Sequence, residues 1–244
     1  METFAAVVNM TMVKIFFLLV AILNWECYQF DFEGAFLNGI MSQRAVYVRQ
    51  PPGFGDGTKR VYKLLKTLYG LRDSPLVWSR EVVKLMKEVG FRPLMSESCV
   101  FVNEDKFVWI MVYVDDIAIA AWSKAEIDRV AHQLGSKFML TEIGEVKTFL
   151  GLRLIRDRKL RTVQISQGPY IERVLGRKSW TNLNGVGSPL DNRMKYDPDL
   201  PELEGQDRVE FLELVGSAQW ISNNTRPDVT YAANFLGRHR QHPT

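Results

Sequence analysis

Cysteine is scarce: Cys27 and Cys99 are the only two in 244 residues. Two cannot build a disulfide framework, so a reducing, intracellular compartment is expected. Histidine is equally sparse. His132, His239 and His242 show no metal-ligand spacing to one another or to either cysteine, which argues against a zinc centre. Long hydrophobic runs are missing as well. The uncharged stretch at residues 15–23 is nine residues long, whereas a membrane-spanning helix needs about 20. No small-residue cleavage site follows it, so a buried core helix is expected, and no membrane partner. No serine sits in a G-x-S-x-G setting, which leaves nucleophilic hydrolysis without support. Internal repeats and low-complexity tracts are also absent.

What is present is an ordinary globular composition, 46% hydrophobic and 24% charged, enough for one large domain or two small ones. The net charge of +3 names no partner by itself; its distribution says more. Residues 151–180 carry Arg153, Arg156, Arg158, Lys159, Arg161, Arg173, Arg177 and Lys178 against Asp157 and Glu172, a local net of +6. Residues 185–210 reverse the sign, with seven acids against three bases. The basic stretch reads equally as a phosphate-backbone surface or as a solvated hairpin.

Periodicity predicts helices over residues 74–89 and 123–134. The first has Ser74 as N-cap and Pro75 as first residue, with Trp78, Val82, Leu85, Met86 and Val89 on one face. The second has a Ser123/Glu126 capping box and Gly135 as a left-handed stop. Apolar runs at 100–102 and 107–114 flank a polar turn, and 117–121 follows Asp115-Asp116, predicting a tight hairpin with both carboxylates at its tip. A third hairpin is expected from 149–155 to 160–165 across 156–159. Residues 188–205, rich in proline and acid, read as a linker. The pattern is α+β.

Asp115-Asp116 is the feature that invites chemistry. Aspartate is common in turns, but adjacent like charges repel, and the flanking strands are apolar enough to bury the hairpin. Buried carboxylates are costly unless a cation neutralises them. Mg²⁺ suits such a site because it binds few carboxylates and shares its remaining positions with water and phosphate. A third carboxylate should come from a neighbouring strand, and Asp31, after Cys27-Tyr28-Gln29-Phe30, is the candidate.

These residues resemble the copia-type retrotransposon reverse transcriptases. Gln29-Phe30-Asp31 with Ala35-Phe36-Leu37-Asn38-Gly39 is similar to their first catalytic motif, and Tyr113-Val114-Asp115-Asp116 to their second. Leu68-Tyr69-Gly70-Leu71 with Ser74-Pro75 and Trp78 resembles the template- and nucleotide-binding motif. Phe149-Leu150-Gly151, Ser166-Gln167, Ser188-Pro189-Leu190, Val215-Gly216-Ser217 and Thr225-Arg226-Pro227-Asp228 follow in family order. The resemblance covers essentially the whole chain.

It implies a right-hand polymerase: partial fingers and palm over residues 1–155, a basic thumb-side segment over 156–190, and a linker with thumb or connection helices over 191–244. It implies RNA-directed DNA polymerisation, with Asp31, Asp115 and Asp116 holding two Mg²⁺ ions, Mn²⁺ being the substitute. Phe36 would crowd the sugar 2′ position, with Tyr69, Gly70 and Ser74 also at the nucleotide. Lys137, or its rival Lys147, would protonate pyrophosphate. Tyr113, Phe149, Leu150, Gly151, Arg153, Arg156 and Arg161 would face primer and template. The implied partners are an RNA or DNA template with a DNA primer, a dNTP, and other regions of a retrotransposon polyprotein.

The chain also departs from the family. It begins one residue before the E-T-F motif, without the preceding fingertip strands, and ends before any RNase H region, so weak processive activity is expected of it alone. Asp73 replaces a usual Gln, Arg or Lys, and repulsion of the incoming triphosphate is expected there. The alternatives are a non-catalytic remnant that binds nucleic acid through residues 151–180, and a decayed reading frame with no stable product.

Overall fold

Continuous apolar runs at residues 100–102, 108–113 and 117–121 set the central strands, and 3.6-residue periodicity sets the helices that cover them. The computed structural model describes residues 5–41, 44–180, 182–191, 196–197 and 199–244. It begins with α1 (Met10–Ile22), β1 (Glu26–Phe32), a 3₁₀ turn (Ala35–Asn38), β2 (Tyr47–Arg49), β3 (Val61–Lys63) and α2 (Ser74–Glu88). There follow β4 (Arg92–Pro93), β5 (Val100–Asn103), β6 (Val108–Tyr113), β7 (Asp116–Ala121), α3 (Lys124–Gly135) and β8 (Leu140–Glu145). The last elements are β9 (Thr148–Phe149), β10 (Leu152–Asp157), β11 (Thr162–Ser166), α4 (Gly168–Arg177), α5 (Gly205–Asn224) and α6 (Thr230–Arg238). The expected mixture of helices and antiparallel strands is what forms.

Two compact units result, one of residues 1–146 with 156–163, the other of 147–155 with 164–244. The first is built on a six-stranded sheet in the order β4-β5-β6-β7-β1-β8, with every pairing antiparallel. Phe30, Phe32, Ile110, Val112, Ile117 and Ile119 share a core with Trp78, Val82, Leu85 and Met86 of α2 and Ile127, Val130 and Leu134 of α3. Strand alternation therefore assigns Gln29, Asp31, Tyr113 and Asp116 to the sheet face opposite these helices.

Several local expectations change. α1 buries Val13, Phe16, Phe17, Val20 and Ala21 but exposes Ile15, Leu18 and Ile22, so only one face of this apolar helix lies in a core. Among the described residues no helix is long and apolar enough to cross a membrane. Ser123 caps α3, accepting from the Glu126 N–H at 3.3 Å, but Gly135 continues the helix and Ser136 ends it in right-handed geometry. Ser74 lies inside α2, and its hydroxyl donates to the Leu68 carbonyl at 2.7 Å, so it anchors the preceding loop.

In the second unit, motif residues turn out to hold the fold. The Thr225 hydroxyl donates to Gln167 Oε1 at 2.7 Å, Tyr170 meets Ser217 at 3.2 Å, and Arg226 grips Asp228 at 2.7 Å. Described residues of the 188–205 span form no helix or strand before Gly205, yet they are tied down. Tyr196 stacks on His239 with ring centroids 3.9 Å apart, and the Leu203 N–H donates to the Pro243 carbonyl at 2.7 Å.

Candidate active site

Strand register brings the carboxylates together. Asp31 lies opposite Asp116 across β1 and β7, and on its other side opposite Thr141 of β8. The Asp115 carbonyl accepts from the Phe32 N–H at 2.9 Å. Tyr113 pairs with Asp116, so the hairpin tip is Val114-Asp115 instead of Asp115-Asp116, and Asp116 begins β7. The physical reason is the turn. A two-residue loop needs a positive φ at its first position when only one residue supplies it, and Val114 takes φ +59°. That angle is strained for a β-branched residue. Trp78 Nε1 donates to the Val114 carbonyl at 2.8 Å, holding the strained turn from the helix side. Phe32, Trp78 and Phe138 meet edge to face beneath it, with centroids 5.1 to 6.1 Å apart.

Gln29 is a site residue whose role the motif did not show. Two positions before Asp31 on a strand, it shares that face, and its Nε2 donates to Asp116 Oδ1 at 3.0 Å. Burial, followed by repulsion from Asp115, Asp116 and Glu33, raises the Asp31 pKa above the usual carboxylate range. Burial raises Asp116 too; the Gln29 hydrogen bond opposes this and Asp115 reinforces it. Among the described residues, no three His, Cys, Asp or Glu side chains already form a metal-holding group. The donor set nonetheless fits a hard divalent cation that leaves positions open for substrate: it is all carboxylate oxygen, and its mutual repulsion is what such a cation relieves.

Around the nucleotide candidates, the Phe36 ring meets Tyr69 at 5.1 Å and 66°. Gly70 takes φ +88° in the Leu68–Leu71 turn, which closes with a Leu71 N–H to Leu68 carbonyl bond of 3.3 Å. The repulsion expected from Asp73 meets a counter-charge: Asp73 is buried and paired with Arg44 at 2.6 Å. Lys137 is paired with Glu88 at 2.6 Å, and Lys147 is exposed.

The expected hairpin across 156–159 is two hairpins. Leu150 and Gly151, at φ +48° and +77°, make the β9–β10 turn next to buried Phe149, and residues 158–161 make the β10–β11 turn. The basic residues divide. Arg153 is exposed, and its side chain makes no hydrogen bond or ion pair among the described residues. Arg156 is half-buried and donates to the Trp25 carbonyl at 2.6 Å and the Val20 carbonyl at 3.0 Å, capping the end of α1. Arg158 pairs with Glu26 at 2.5 Å and Glu145 at 3.4 Å. Arg161 reaches the Ile22 carbonyl at 3.4 Å, and Lys178 pairs with Glu210 at 2.9 Å.

Comparison with known proteins fits this geometry. Residues 1–192 match the family described as Reverse transcriptase (RNA-dependent DNA polymerase). The chain is 32% identical over 252 residues to the Retrovirus-related Pol polyprotein from transposon TNT 1-94 of Nicotiana tabacum, covering 99% of this chain and 19% of that protein. It is 32% identical over 251 residues to the corresponding polyprotein from transposon RE1 of Arabidopsis thaliana, covering 100% and 16%. With the Transposon Ty1-BL Gag-Pol polyprotein of Saccharomyces cerevisiae it shares 27% over 235 residues, covering 91% and 13%. It thus spans about a fifth or less of the length of these relatives. Carboxylates in register at a hairpin and motifs in family order agree with that match, and the chain belongs to the reverse transcriptase (RNA-dependent DNA polymerase) family, in its copia-type retrotransposon branch.

Proposed function

We propose that the six-stranded sheet is the palm of a right-hand polymerase and that its carboxylate end performs RNA-directed DNA synthesis from dNTPs on a primed template. The observation that carries this is the cross-strand pairing of Asp31 with Asp116, beside Asp115 in the turn that Val114 and Trp78 hold. Asp31, Asp115 and Asp116 would bind Mg²⁺, which supplies activation of the primer 3′-hydroxyl and neutralises charge on the leaving pyrophosphate. Gln29 orients the Asp116 carboxylate. Phe36 shapes the sugar pocket, with Tyr69 and Gly70 beside it. Lys137 is the candidate proton donor to pyrophosphate, and its ion pair with Glu88 must open for that transfer. Tyr113, the Phe149-Leu150-Gly151 tip and Arg153 are assigned to primer and template. A purely nucleic-acid-binding role through residues 151–180 draws less support, because Arg156 and Arg158 are committed to carbonyls and carboxylates of their own unit.

Primer extension on poly(rA)·oligo(dT) with Mg²⁺ tests the proposal. Incorporation is expected to fall about 10³-fold or more in the Asp115→Asn Asp116→Asn variant. Binding of template–primer with no incorporation above that variant's background would overturn it.

A further inference from the structure

The Phe36 backbone is held by a residue from a distant loop. Its 3₁₀ turn starts after Gly34 at φ +62°. Asn38 Nδ2 closes the turn by donating to the Glu33 and Gly34 carbonyls at 3.0 and 3.2 Å. The next contact crosses the loop: the Thr67 hydroxyl donates to the Phe36 carbonyl and stands 3.4 Å from the Gly39 carbonyl. The Thr67 N–H also donates to the Gly39 carbonyl at 2.8 Å. Thr67 is 1% exposed, so its hydroxyl has no solvent to turn to. Glycine at 39 makes this approach possible, because a Cβ there would lie 2.5 Å from Thr67 Oγ1 and 2.9 Å from Val77 Cγ1.

The Phe36 ring is half-buried and packs against the edge of the helix–sheet core. Tyr69 packs against it. It also borders an apolar cavity of about 330 Å³, whose walls include Pro75, Trp78, Val82 and Val114. A ring with open volume beside it lacks the close packing that normally fixes a core side chain.

We propose that Thr67 is a positioning residue for sugar specificity. Its hydroxyl pins the Phe36 carbonyl and so keeps the ring from moving into the cavity it borders. The inference rests on the polymerase reading, with Phe36 at the sugar 2′ position. Losing the Thr67 hydroxyl lets the ring retract into the cavity, opening room for a ribose 2′-hydroxyl.

Thr67→Val keeps the shape and removes the donor. It is expected to raise the ratio of ribonucleotide to deoxynucleotide kcat/KM by about tenfold. The change should come through KM for the ribonucleotide, with kcat for the deoxynucleotide held within about twofold. Thr67→Ser, which restores the hydroxyl, should return the ratio to the wild-type value. A parallel readout needs no turnover: in the full chain with ¹³C-labelled phenylalanine, the Phe36 ring resonance should broaden or shift in Thr67→Val and recover in Thr67→Ser. An unchanged ratio in Thr67→Val, alongside a raised ratio in Phe36→Ala, overturns the clamp while leaving the polymerase reading intact. If no aspartate-dependent incorporation is seen, the polymerase reading fails, the specificity role falls with it, and the Phe36 resonance separately decides the clamp. An unchanged ring resonance in Thr67→Val overturns the clamp on its own.

Discussion

Asp31 and Asp116 face each other across one strand pair with like charge, and the fold tolerates the repulsion. Below the usual carboxylate pKa both are protonated in folded and unfolded chains. As pH rises from there through the raised folded values, the native state keeps protons that the unfolded state has released, so stability falls with pH in that window. Above it the penalty is constant. Asp116→Asn keeps an acceptor for Gln29 and removes the charge. It should therefore raise the thermal midpoint at pH 7 by about 2 °C or more, with the gain vanishing below the ordinary carboxylate range. Thermal melts of both proteins at pH 3 and pH 7 check this; an equal or lower midpoint for the variant at pH 7 would contradict the electrostatic account. Position 114 is likewise held away from relaxed geometry, since valine occupies a left-handed turn position and the Trp78 hydrogen bond holds it there.

At the scale of elements, helices were the most legible parts of the sequence. The faces of α2 and α3 follow from periodicity, and Ser123 caps where its spacing says it should. Turns were legible only in outline. The chain shows that a hairpin exists near residue 115, but whether the tip is 114–115 or 115–116 depends on which register pairs Asp116 with Asp31, and that involves β1, more than eighty residues away. The end of α1 follows the same logic. The Val20 carbonyl in its last turn and the Trp25 carbonyl just beyond it accept from Arg156, which lies more than 130 residues further along. Arg156→Ala leaves those carbonyls without their charged donor. It is expected to cost about 2 kcal/mol, lowering the midpoint by about 4–8 °C. Denaturant titration measures it, and a cost under about 0.5 kcal/mol would show that α1 needs no such cap.

For the whole molecule, a net charge of +3 conceals a division of labour among the basic residues. Those in the 151–180 stretch form one patch when counted along the chain. In the structure Arg156, Arg158 and Lys178 hold the protein itself, whereas Arg153 is left exposed. Under the proposed polymerase function, phosphate contacts are expected from the second class. Arg153→Ala should reduce the slope of log K against log salt for template–primer binding by about 1 without changing the melting midpoint. A binding series between low and moderate salt reads this directly; a slope equal to wild type would remove Arg153 from the interface.

The amino-acid sequence by itself determined the α+β alternation and the family, and it singled out Asp31, Asp115 and Asp116 as candidates, because local sterics, side-chain periodicity and motif order are all written along the chain. Tertiary structure decided the tip of the hairpin that carries Asp115, the Gln29–Asp116 and Trp78–Val114 hydrogen bonds, the Arg44–Asp73 pair that answers an expected repulsion, and which arginines remain free. Each of these joins residues tens to more than a hundred positions apart. Their pairing depends on which surfaces pack together and bury which polar groups, a choice that only the folded chain makes.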